Sequence, residues 1–186
     1  LGRAVNYIML QGHKPEEVLV LCDFHGTVTE HTKRSYIKKN KINLRQDTDA
    51  QLQSLSEIAD LKICSAWPNQ RQVLEQLRTL ELDGIVNIPD SEPAELISGV
   101  EIEYDGVKYH PQYFVHGDVI ACKLPEDKEF RRKYWLIDNP LEEWDEKYKL
   151  VVFIDDEFEN ISQFQKHWDQ LTGNSDSIHL ETFWVS

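Results

Sequence analysis

Cysteine is scarce: Cys22, Cys64 and Cys122 are the 3 in the chain, and no two are spaced as a CxxC pair. An odd number without paired spacing argues against a disulfide framework or a zinc site. Each sits in an apolar run, VLVLCD, LKICS or DVIACK, where a thiol serves as a small buried hydrophobe, so a reducing, cytoplasmic setting is expected. Long apolar runs are also missing. None approaches the roughly 20 residues needed to cross a bilayer, and the opening LGRAVNYIML shows neither the apolar region nor the small-residue cleavage site of a signal peptide. No membrane association is expected from these features. Positive charge is the third shortage. With 20 Lys+Arg against 33 Asp+Glu the net charge is −13, which repels polyanions and removes the counterion-release drive for binding duplex DNA or RNA. The basic clusters Lys38, Lys39, Lys41 and Lys128, Arg131, Arg132, Lys133 read as solvated loop or helix faces. The acidic surface is instead a candidate docking face for a basic protein partner.

What is present fits one domain spanning 1–186: the length and the 40% hydrophobic content suffice for one substantial core. Five apolar runs have strand length: Val18 to Cys22, Leu61 to Cys64, Val119 to Cys122, Leu150 to Ile154 and Ile178 to Val185. Three of the first four lack polar alternation, as strands covered on both faces do. Apolar residues at helical spacing lie between them, at Leu52, Leu55, Ile58, Ala59; at Val73, Leu74, Leu77, Leu80; at Phe130, Tyr134, Ile137; and at Phe158, Ile161, Phe164, Trp168, Leu171. Strands alternating with helices predict an α/β fold, a Rossmann-like doubly wound parallel sheet. Two stretches depart from the pattern, 29–49 and 85–117, and are expected to be small cap-like insertions. The second contains a hairpin signal, Asp105-Gly106 between Glu101 to Tyr104 and Val107 to Tyr109.

Chemistry-bearing residues follow the strand runs. The first run ends in Asp23-Phe24-His25-Gly26-Thr27, which places a carboxylate before a tight glycine turn, in the crevice where open α/β sheets bind ligands. Such a carboxylate can attack phosphorus as a nucleophile; it can also simply cap its own turn. Asp155-Asp156 follows the fourth run. Adjacent carboxylates repel, and a hard cation such as Mg²⁺ relieves them. The alternative is that one caps the following helix while the other faces solvent. Ser65 ends the second run and can donate its hydroxyl to a phosphate oxygen. Lys128 opens the third helical segment and can offset the charge of a phosphoryl group, with Lys123 and Lys133 as competitors.

The order Asp, Ser, Lys, Asp-Asp, carried by LVLCDFHGT, KICS, EDKE and VVFIDDE, resembles the haloacid dehalogenase (HAD) superfamily. Within it, SAWPNQRQVLEQLRTLEL, GDVIACKLPEDKEFRRKYW and FIDDEFENI are similar to a HAD-like group found in intracellular bacterial pathogens. A receiver domain combines the same residue types, but its acidic pair precedes its phosphoacceptor, the reverse of the order here. The resemblance implies a Mg²⁺-dependent phosphatase or phosphotransferase. Asp23 is its nucleophile, and Gly26, Thr27, Ser65 and Lys128 hold the phosphate. Asp23, Asp155, Asp156 and the backbone carbonyl of His25 hold the metal. The protein is then cytoplasmic or delivered into a host cell.

One position departs from the family. Its second Asp, the general acid, is His25 here. With an ordinary pKa of about 6.5 a histidine can replace that acid, whereas beside Mg²⁺ it is driven toward the neutral form and weakened. Two functions therefore stand open: a phosphatase acting through an aspartyl-phosphate on a phosphorylated small molecule or protein, or a catalytically impaired relative serving as a binding or scaffold protein. Only about 30 residues on either side of Ser65 remain for insertions, too few for a large lid, so an open site is expected.

Overall fold

The computed structural model describes residues 1–30, 41–66, 69–90, 95–98, 102–104, 107–109, 112–123, 147–172 and 178–186. Strand β1 (Val18–Asp23) is buried at all 6 positions. Its even and odd side chains feed two different cores. Val18, Val20 and Cys22 pack with Ala4 and Ile8 of α1 (Gly2–Gln11), Leu52 and Leu55 of α2 (Thr48–Ile58), and Val73, Leu74 and Leu77 of α3 (Gln70–Thr79). On the other face Leu19 and Leu21 join Val151 and Phe153 of β8 (Leu150–Asp155) and Ile161, Phe164 and Trp168 of α4 (Phe158–Thr172). Phe153 and Phe164 stack at a centroid distance of 4.1 Å. A strand covered on both faces has no polar side to show, which is why VLVLCD lacks alternation.

The remaining strands are β2 (Asp60–Ser65), β3 (Glu95–Ser98), β4 (Ile102–Tyr104), β5 (Val107–Tyr109), β6 (Gln112–His116), β7 (Val119–Lys123) and β9 (His179–Trp184). The main sheet has 7 strands in the order β3-β6-β7-β2-β1-β8-β9. The five from β7 to β9 in that order are parallel, so the α/β architecture with helices on both faces and a mostly parallel sheet is present.

The sheet is not parallel throughout. β6 and β3 extend it antiparallel beyond β7. They come from the stretch expected to be a cap-like insertion, and only β4 and β5 form the separate two-stranded hairpin. The reason is local: Gly117, at φ 59°, closes a two-residue turn between His116 and Val119, and Tyr113 buries itself in the second core. Helix α1 falls outside the spacing pattern picked out from the sequence. The helical segment at Phe130, Tyr134 and Ile137, and residues 31–40 of the first expected insertion, lie outside the described residues. Among the described residues no helix is long and apolar enough to cross a membrane.

At the N-terminal end of the strands, Asp60 accepts from Lys147 Nζ at 2.8 Å and from the Tyr148 hydroxyl, and pairs with Lys62 Nζ at 3.0 Å. Burial pushes its carboxyl toward the neutral form, but the hydrogen bonds from Lys147, Tyr148 and Lys62 outweigh that and bring the pKa down to about 2 from the ordinary 3.8. A depressed pKa contributes stability that is complete above the ordinary value and is lost as pH falls from 3.8 toward 2. Asp60→Asn is expected to cost about 1–2 kcal/mol near neutrality, a figure reduced for solvent screening of the partly exposed lysines. Urea unfolding of both proteins checks it: the gap between them should close near the acid end of that window.

Candidate functional site

The strand order places a switch point between β1 and β8. From β1 the chain proceeds outward through β2 to β7, then returns to β8 on the opposite side of β1. In open α/β sheets ligands bind in the crevice outside the strand ends at such a point. Register then fixes which side chains meet there. Cys22 pairs with Ile154, which carries Asp23 to the level of Asp155, while Asp23 itself pairs with Cys64, one residue before Ser65.

Three carboxylates converge. Asp23, Asp155 and Asp156 each offer an oxygen within 4.8 Å of the others; Asp23 and Asp155 are buried. Asp155 Oδ1 also accepts from Glu157 N at 2.9 Å and Asn160 Nδ2 at 3.2 Å, which ties it to the turn that leads into α4 and to the first turn of that helix. An all-carboxylate donor set suits a hard divalent cation such as Mg²⁺ rather than a thiol- or imidazole-seeking metal.

The turn after β1 is built against this cluster. Phe24 and Val28 anchor it in the core at 0% exposure, and Val28 N and Thr29 N both donate to Phe24 O, at 3.0 and 3.1 Å. Gly26 sits at φ 98°, and a Cβ added there would collide with the Asp156 carboxylate. Thr27 Oγ1 lies 3.4 Å from Asp156 Oδ1. Arg45 fastens the turn from outside, donating to Gly26 O at 2.8 Å and to Ser186 O at 2.7 Å.

The His25 ring turns to other partners. Its Nε2 meets Gln76 Oε1 at 2.8 Å and its Nδ1 lies 3.5 Å from Ser65 Oγ. With the amide oxygen accepting, Nε2 carries the proton, and in the neutral ring Nδ1 accepts from the serine hydroxyl. Ser65 is buried at the end of β2.

Of the residues expected from sequence, Asp23, His25, Gly26, Thr27, Ser65, Asp155 and Asp156 gather at this edge. Lys128 and its competitor Lys133 lie outside the described residues, and Lys123 closes β7. Three contributors escaped the sequence reading: Gln76, Arg45 and Asn160. Gln76 carried a signal, because a glutamine at 0% exposure among Val73, Leu74 and Leu77 breaks an otherwise apolar helix face. Arg45 and Asn160 carried none: Arg45 acts on partners distant in sequence, and Asn160 acts by a side-chain bond to Asp155 that its place in a helix does not reveal. Compared with known proteins, the chain matches no family model, no curated protein and no solved structure.

Proposed function

We propose that the chain is a HAD-like, Mg²⁺-dependent phosphatase or phosphotransferase that works through an aspartyl-phosphate on Asp23. The observation that carries this reading is the meeting of Asp23, Asp155 and Asp156 at the ends of adjacent parallel strands. Three carboxylates packed this closely repel one another, and a function that needs a divalent cation gives that repulsion a purpose. Held by Asp23, Asp155, Asp156 and the His25 carbonyl, Mg²⁺ would neutralise charge on the phosphoryl group and its transition state.

An Asp23 oxygen attacks phosphorus, the ester P–O bond breaks, and the leaving oxygen takes a proton from the His25 ring, which the attacking water later restores. Water then hydrolyses the aspartyl-phosphate to inorganic phosphate, or an acceptor alcohol takes the phosphoryl group. The Thr27 backbone N–H and the Ser65 hydroxyl, once turned from His25 Nδ1, donate to phosphoryl oxygens, and the Gly26 N–H joins them on leaving Thr29 Oγ1, which it meets at 3.3 Å. Lys128, or Lys123 or Lys133 in its place, supplies positive charge to the same group. The shortage of chain for a lid supports an open crevice that admits large phosphorylated substrates too.

Turnover of a broad phosphomonoester panel should fall more than about a hundredfold on chelation and return with Mg²⁺. Absence of turnover across the panel and a wide pH range would sink the proposal.

His25 favours a second reading, a binding or scaffold protein that has lost efficient chemistry. Its two ring nitrogens already face Gln76 and Ser65, and a ring so held must give up a partner to protonate a leaving group. His25→Asp separates the readings. A rise of about tenfold or more in turnover identifies the acid as the missing part, on the usual scale of general acid catalysis; unchanged, negligible turnover supports the binding protein.

A further inference from the structure

Four large hydrophobic side chains are exposed among the described residues: Met9, Leu10, Phe158 at 65% and Trp184 at 51%. The first two lie on α1, but the aromatic two stand together at the acidic centre. Their rings meet edge to face, 6.2 Å apart at 77°. The Trp184 indole N–H donates to the Asp156 carbonyl at 2.8 Å, and Trp184 is the register partner of Asp155 across β8 and β9. Phe158 opens α4 two residues after Asp156. Each ring forgoes burial that large aromatic side chains normally obtain. Both are nevertheless held, one by its hydrogen bond and each by the other, as the two walls of a right-angled corner. Neither takes part in the phosphoryl scheme above.

We propose that this corner selects the substrate: it stacks the planar ring of an aromatic phosphate monoester, a nucleoside monophosphate being the simplest probe, while the phosphate reaches Asp23, Asp155 and Asp156. This rests on the phosphatase reading of the same site. Edge-to-face rings leave one face open for an offset stack, and a π-face accepts any planar ring without base-specific hydrogen bonds. A net charge of −13 disfavours a polynucleotide and leaves a single phosphate compatible with a cation-loaded centre.

AMP and ribose 5-phosphate provide the test, because both are esters of a primary 5′ ribose hydroxyl and differ at C1, where one carries adenine and the other a hydroxyl. The full chain in Mg²⁺ should prefer AMP in kcat/KM by about tenfold or more, the scale of one base–aromatic stack. Trp184→Ala should bring the ratio close to one. Trp184→Phe, which keeps a ring and loses the N–H, should retain most of it. A wild-type ratio near one overturns the proposal, and so does Trp184→Phe falling as far as Trp184→Ala, which would assign the residue to holding Asp156 instead. If neither compound turns over, the phosphomonoester panel still decides the phosphatase reading, and calorimetric binding of the two compounds in Mg²⁺ decides the stacking alone. Tighter binding of AMP that Trp184→Ala abolishes supports it; equal affinities, or no binding of either, reject it.

Discussion

Asp23→Asn protein is expected to lose at least about a thousandfold in turnover of an aryl phosphate, the scale seen when a covalent nucleophile is removed. An amide oxygen occupies nearly the same volume as the carboxylate oxygen but cannot form the acyl phosphate, so loss of fold does not explain the result. Stability should move the opposite way. Asp23 is buried beside Asp155 and Asp156, and removing one of three mutually repelling charges relieves strain when no cation is present. The variant should therefore melt higher than wild type in chelator and gain less from added Mg²⁺, because a ligand stabilises only in proportion to its affinity for the folded state. Thermal unfolding with and without Mg²⁺ measures both shifts. A variant that melts lower in chelator and gains as much from Mg²⁺ as wild type would remove Asp23 from the metal site.

Gly26→Ala should damage activity less than Asp23→Asn does, and the fold more. At φ 98° an L-residue is strained, at a cost of about 1–3 kcal/mol, and its Cβ would also run into the Asp156 carboxylate. One of the two must move. A shifted Asp156 would weaken the proposed Mg²⁺ site by about 10–100-fold, the scale on which a metal ligand loses its outer-shell support. Gly12→Ala provides the control, since Gly12 has φ 69° with nothing within 4 Å of the added carbon. It should show the backbone cost without the loss of Mg²⁺ response. Denaturant melts and a Mg²⁺ titration of both variants separate backbone strain from the collision, and equal Mg²⁺ responses would mean that Gly26 has no bearing on the cluster.

The parts of the fold that could be read from sequence were those where one local pattern had one physical cause. VLVLCD and LVVFIDD lack alternation because β1 and β8 are buried on both faces, and their acidic ends mark where strands leave the core. Spacing found α2, α3 and α4 because each rests one apolar face on the sheet. β3 and β6 were hidden, since a polar, turn-rich stretch gives no sign that its strands will add to an existing edge. The site was legible as a set of residue types but not as an arrangement. Nothing in the chain order says that Cys22 will pair with Ile154, and that register alone brings Asp23 level with Asp155. Nor does His25 announce Gln76, which lies on a helix whose other inward residues are apolar. The aromatic corner has no separate mark in the sequence: Phe158 belongs to a helical stripe and Trp184 to a closing strand run, and only the folded surface separates them from their buried neighbours.

The pairing of β1 with β8 has a consequence for biosynthesis. The ribosome delivers a chain from its N-terminus, so Asp23 emerges about 130 residues ahead of its two acidic companions, Asp155 and Asp156. Until the closing strands dock, a nascent chain carries a lone carboxylate at an unfinished edge, with no crowding of like charge and no purchase for a cation. Under the proposed function, neither phosphoryl chemistry nor Mg²⁺ binding at this edge can begin before the closing strands have docked.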